Sequence, residues 1–179
     1  RSCLVGSEMC IRDSSNLLEQ VETNFDSKEI ISKLDKLHSK SKAHVIGITG
    51  SPGVGKSSLI DKLVKHIRKK NKSVGIIAID PSSERSGGAL LGDRTRLMLN
   101  PSDNDVFVRS MASKSFLGGT SELTYPSMVV MRAMFDFIII ETVGVGQSET
   151  FIKNLSDSVI LGVQPGSCLL YTSDAADES

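Results

Sequence analysis

The sequence predicts an α/β fold, a mainly parallel sheet with helices on both faces. Three observations predict it. Short, continuously apolar runs of strand length recur along the chain, amphipathic stretches of helical period separate them, and a glycine-rich turn joins the first run to a helix. A chain of 179 residues suffices for one domain with a real core, whereas two full domains would be cramped. With 39% hydrophobic and 23% charged residues and no apolar run near the length of a membrane span, membrane-spanning, collagen-like and disordered chains are excluded. The formal net charge is zero, which offers no electrostatic case for a nucleic-acid partner. The N-terminus lacks the basic-then-apolar pattern of a signal peptide, so the expected location is the cytoplasm, with no membrane partner. All three cysteines, Cys3, Cys10 and Cys168, sit near the ends, so the middle has neither a disulfide framework nor a CxxC metal site.

Taken in order, residues 1–14 show no clear period and no turn grammar leading into the next segment. Residues 167–179 interrupt an apolar run in the same way. Both resemble translated adaptor tails found at the ends of assembled gene fragments and are set aside from the fold. Residues 15–42 predict a helical lead-in, with Ile30, Ile31, Leu34 and Leu37 on one face and an Asp26–Glu29 capping box at its start. HVIGITG, 44–50, predicts a buried strand; 56–70 predicts an amphipathic helix with Leu59, Ile60, Leu63, Val64 and Ile67 inward. Further strands are expected at 74–80, 106–110, 135–141 and 158–163. A helix is expected at 124–134, where Pro126 is tolerated in the first turn and Met128, Met131 and Met134 recur at helical spacing as core.

Between the first strand and its helix lies GSPGVGKS, which fits GxxxxGK[ST] in the strand–loop–helix setting the pattern requires. Glycines let successive backbone N–H groups curl around phosphate oxygens, and the helix N-terminus adds its positive dipole end. The loop residues Gly50, Ser51, Pro52, Gly53, Val54 and Gly55, with Lys56, Ser57 and Ser58, are the expected nucleotide contacts. Lys56 would meet the β- and γ-phosphates and the Ser57 hydroxyl would meet Mg²⁺. Such a site needs carboxylates at the carboxyl ends of neighbouring strands. Glu141, which opens ETVG, Asp80 within IDPSS and Asp93 within SGGALLGDRTR are the candidates. ETVG resembles the DxxG switch of GTPases with Glu in place of Asp, and its Gly144 would offer a backbone N–H to the γ-phosphate. Gln147, and Arg94 or Arg96, would orient water or stabilise charge on that phosphate. His38, His44 and His66 have no metal-like spacing.

GSPGVGKSS, DPSSERSGGALLGDRTR, FVRSMASKSFLGG and ETVGVGQSE stand in this order. Together they resemble the methylmalonyl-CoA mutase-associated GTPases of the MeaB/ArgK type, over roughly residues 44–166. That resemblance implies a P-loop NTPase of the SIMIBI class with its core at 43–166. The implied protein binds GTP/GDP with Mg²⁺, forms a homodimer when complete, and attends an adenosylcobalamin-dependent methylmalonyl-CoA mutase, gating cofactor delivery and protecting the mutase. It places Ser57, Asp80, Asp93 and Glu141 at magnesium-associated positions; Lys56, Asp93, Glu141 and Gln147 are the expected catalytic residues. The SKSF of 113–116 departs from the usual arginine–glycine pair before LGG. The NKxD-type segment that reads guanine in this family would come after Gly166, so the C-terminal part of the fold is expected to be missing. The alternatives are a P-loop small-molecule kinase, for which no substrate-pocket cluster is visible, and a metallochaperone GTPase, which the scarcity of Cys and clustered His disfavours.

Overall fold

The structure, a computed structural model, describes residues 11–24, 27–80, 103–112, 124–142 and 148–164. Strands β1 (His44–Gly50), β2 (Val74–Asp80), β3 (Val106–Ala112), β4 (Phe137–Glu141) and β5 (Ser158–Gly162) form one sheet in the order β3-β2-β4-β1-β5. Every pairing in it is parallel. Five helices accompany it among the described residues: α1 (Ile11–Asn24), α2 (Lys28–Lys40), α3 (Lys56–Arg68), α4 (Thr124–Arg132) and α5 (Ser148–Leu155). None is long and apolar enough to cross a membrane.

Alternation along the strands divides the core between the two faces. Ile48, Val74, Ile76 and Ile139 pack with Ile60, Val64 and Ile67 of α3. On the other face Val45, Ile77, Ile79, Ile138 and Ile140 pack with residues of the remaining helices, including Leu18 and Val21 of α1, Ile30 of α2, Met128 and Met131 of α4 and Ile152 of α5. Both faces of β2 and β4 are thus covered, which is why those strands read as unbroken apolar runs. β5 is an edge strand, and its Val159 and Leu161 are exposed, as is Val163 just beyond it.

Several local expectations change. The lead-in is two helices, and the cap of the second is Ser27, whose Oγ accepts the Ile30 N–H at 3.2 Å; Glu29 pairs instead with Lys33 at 2.7 Å. Ile31 falls off the buried face, and Leu59 of α3 is exposed because Ile60, Val64 and Ile67 already fill the contact with the sheet. β4 starts at Phe137, and the Asp136 carboxylate just before it clamps the chain ahead of β2, accepting the Ser73 N–H at 2.9 Å and the Ser73 hydroxyl at 3.0 Å. β3 runs two residues further, to Ala112, and α5 is an element that the apolar pattern did not reveal.

Acidic side chains fasten the edge of the sheet where the strands begin. Asp136 also pairs with Lys72 at 2.9 Å, and hydrogen bonds from Ser73 hold its carboxyl below the usual range. Arg68 at the end of α3 donates to Asp103 at 2.8 Å and Asp105 at 2.6 Å, just before β3. Asp157 accepts the Val45 N–H at 2.8 Å, joining β5 to the start of β1. The opposite edge, where strands end, carries the glycine loop.

Candidate phosphate-binding site

β1 runs straight into the loop at 51–55, and α3 leaves it at Lys56. Gly50 has φ 137° and Gly55 has φ 95°, conformations that a β-carbon makes costly. At Gly50 there is a second reason for glycine. It pairs in register with Gly162 of β5, and a β-carbon on it would press on the Gly162 carbonyl oxygen. Gly55 instead has open space around it, so its backbone conformation alone makes the demand. As the N-cap of α3, Gly55 provides no side-chain cap, leaving the first N–H groups of the helix for a ligand or water. Val54 leans on β5, since a β-carbon on Gly162 would come within 2.9 Å of its Cγ1. Pro52, Gly53 and Ser58 are exposed and Ser51 is half-buried.

Lys56 reaches back across the loop, donating from Nζ to the carbonyls of Gly50 at 2.6 Å and Ser51 at 3.0 Å. Burial lowers its pKa from the ordinary lysine value, and the Glu141 carboxylate opposes that shift. A cation is therefore held, partly desolvated, against the loop whose backbone donors suit an anion.

The Ser57 hydroxyl donates to Glu141 Oε1 at 3.3 Å. Register explains the meeting. Glu141 closes β4 opposite Ile48 of β1, and alternation sets it on the same face as Ile139, the face that α3 covers. On the other side Glu141 pairs with Ala78 of β2, and Asp80 ends that strand two residues on. The backbone thus brings Ser57, Glu141 and Asp80 to one edge at neighbouring positions. A hydroxyl and a carboxylate oxygen in contact are a hard-oxygen set of the kind that suits a cation such as Mg²⁺, which takes few protein ligands and completes its shell with phosphate and water. Asp93, Gly144 and Gln147, with Arg94 and Arg96 and the 113–116 segment, lie outside the described residues.

Four participants escape a reading by motif. Thr142 Oγ1 donates to Thr49 Oγ1 at 2.9 Å, and Thr142 N–H donates to Ile48 O at 3.0 Å. Their signal was a hydroxyl residue at the end of each of two apolar strands. Gly162 admits the loop to β5, and Gln164 comes beside Gly53, where a β-carbon would sit 3.7 Å from its Nε2. No local pattern marks Gln164, because its neighbour is more than a hundred residues away in sequence.

Comparison with known proteins bears on the family and the fold. The sequence model of the family described as "Methylmalonyl Co-A mutase-associated GTPase MeaB" matches residues 15–168. A Pyrococcus abyssi protein is 46% identical over 157 residues, 87% of this chain and 48% of its own length. A "Probable GTPase" of Mycobacterium tuberculosis is 42% identical over 126 residues, 70% of this chain and 38% of its own. The "Methylmalonic aciduria type A homolog, mitochondrial" of Caenorhabditis elegans is 32% identical over 177 residues, covering 92% and 44%. The chain therefore spans about half the length, or less, of the relatives it matches. Among solved structures, a "LAO/AO transport system kinase" superposes with a TM-score of 0.61 at 26% identity, covering 84% of this chain and 44% of that one. The signal recognition particle receptor FtsY of Elizabethkingia anophelis shares the fold, with a TM-score of 0.50 at 15% identity over 90% and 60%.

Proposed function

The chain belongs to the methylmalonyl Co-A mutase-associated GTPase family MeaB, and from that membership we propose that it is the nucleotide-binding part of a GTPase chaperone for an adenosylcobalamin-dependent methylmalonyl-CoA mutase. The observation that carries the reading is the contact of Ser57 with Glu141 beside a glycine loop closed over by Lys56. In this reading Gly50 to Ser58 bind the phosphates of GTP or GDP, with Lys56 serving the β- and γ-oxygens. Ser57, Asp80, Asp93 and Glu141 would hold Mg²⁺, which supplies neutralisation of the charge that develops on phosphoryl transfer. Gly144 and Gln147 belong to the segment after Glu141 that senses the γ-phosphate and orients water. Residues 15–42 are the helical lead-in and 43–166 the GTPase core, while 1–14, the last four of which are continuous with α1, and 167–179 are non-native tails. The complete protein acts as a homodimer in the cytoplasm, loading the mutase with cofactor and protecting it, without nucleic-acid or membrane partners.

Family membership does not favour the small-molecule kinase or metallochaperone alternatives. The test is the affinity of the complete protein for its mutase when loaded with GDP or with a non-hydrolysable GTP analogue, since a nucleotide shifts a partner only through differential contacts in two states. The reading expects affinities that differ between the two states. Equal affinities, together with no effect on loading of the mutase with cofactor, would refute it.

A further inference from the structure

We propose that Thr49 and Thr142 are positioning residues for the phosphate and magnesium site, a buried hydroxyl pair that ties the root of the glycine loop to the strand end bearing Glu141. The inference rests on the nucleotide reading of that site. Thr49 immediately precedes Gly50 and Thr142 immediately follows Glu141. Their hydroxyls meet at 2.9 Å, and each residue is only 1% exposed. The Thr142 N–H donates to the Ile48 carbonyl, so the β1–β4 ladder runs one bond past Glu141 before the pair closes it.

The chemistry of the neighbours makes the two hydroxyls informative. On the same face, the preceding positions are Gly47 and Val45 in β1 and Ile140 and Ile138 in β4; Val45, Ile138 and Ile140 pack in one apolar cluster, and Ile152 of that cluster lies against Gly47. Valine at 49 and 142 would fill that space, so burial by itself does not call for threonine. A hydrogen bond does something packing cannot, because it sets a short and directional separation where methyl groups would stand off at about 4 Å. The pair lies on the face opposite Glu141 and Ser57. It draws β4 towards β1 directly beneath the Glu141 side chain, whose contact with Ser57, at 3.3 Å, has little slack to lose. Magnesium demands near-ideal octahedral geometry, so a shift of about 1 Å between those oxygens is a shift it would register.

The test uses the 179-residue chain with Thr142→Val, the double variant Thr49→Val/Thr142→Val, and Thr142→Ser. Two quantities are read: the melting temperature, and GDP affinity by calorimetry in Mg²⁺ and in a chelator. Wild type should bind GDP more tightly with Mg²⁺. Thr142→Val should melt lower, because the Thr49 hydroxyl is left buried and unpaired. It should also lose about 10- to 100-fold of the gain from Mg²⁺, as when a group supporting a metal ligand is removed. The double variant should recover the melting temperature without recovering that gain, and Thr142→Ser should keep both. A double variant with the full Mg²⁺ gain would show that packing suffices and overturn the proposal. A Thr142→Ser variant that lost the gain would overturn it equally, and this arm decides the matter if the double variant does not fold. Wild-type affinity indifferent to Mg²⁺ would instead refute the reading of the site itself, and the proposal with it.

Discussion

Replacing Gly50 with alanine should be markedly worse than replacing Gly55, although both are glycines with positive φ flanking the loop. At Gly55, φ is 95° and nothing lies within 4 Å of an added β-carbon, so the cost is backbone conformation alone, about 1–2 kcal/mol. At Gly50, φ is 137°, a region that is nearly glycine's own, with a cost of about 3 kcal/mol at the upper end for strained backbone. The β-carbon also presses on the carbonyl of Gly162, a backbone atom that moves only if the end of β5 moves with it. Losing one ladder hydrogen bond there adds about 1 kcal/mol. The two variants should therefore differ by about 2–3 kcal/mol, or roughly 4–12 °C in melting temperature for a chain of this size. Circular dichroism melts of the two variants check the difference. Because the Gly50 carbonyl also accepts Lys56 Nζ, Gly50→Ala should weaken GDP binding in calorimetry as well. Melting temperatures within about 2 °C of each other would refute the claim that the approach of Gly162 constrains this position.

Lys56→Ala should weaken Mg²⁺–GDP binding about 10- to 100-fold, the value of one or two charge-assisted contacts less the loop carbonyls that the ammonium gives up, and calorimetry measures it. Unchanged affinity would detach Lys56 from phosphate. Acid should unfold the protein partly through Asp136. Its carboxyl titrates below the unfolded value of about 3.9, so the stability it contributes is present above that pH and lost as pH falls through the folded value. Asp136→Asn should therefore be less stable than wild type near neutrality, with the gap in urea midpoint narrowing between about pH 5 and pH 3; a gap constant with pH would contradict the shift. Finally, GTP and ATP should compete about equally for the 179-residue chain, because each identified contact meets phosphate or metal and none meets the base edge. A strong preference for GTP in that competition would place base recognition in residues not identified.

Local chemistry carried a good deal of this molecule in the sequence. The run GSPGVGKS between an apolar strand and an amphipathic helix is readable because turn residues, capping and hydrophobic period act over a few neighbours, and β1 and β2 have the bounds expected of them. The same local information misplaced a cap by one residue, at Asp26 instead of Ser27, and joined two helices into one. Period also pointed Leu59 inward, while the width of the contact between α3 and the sheet leaves it exposed. Which strand lies beside which is not a local property. The order β3-β2-β4-β1-β5 depends on the total burial that the whole chain can achieve, and on it depends that Ser57 meets Glu141 across 84 residues and Thr49 meets Thr142 across 93. Motif and residue type determined what chemistry the chain could offer. The tertiary structure alone decided which of those groups touch, because parallel register, set by the apolar faces of β1 and β4, turns distant strand ends into neighbours.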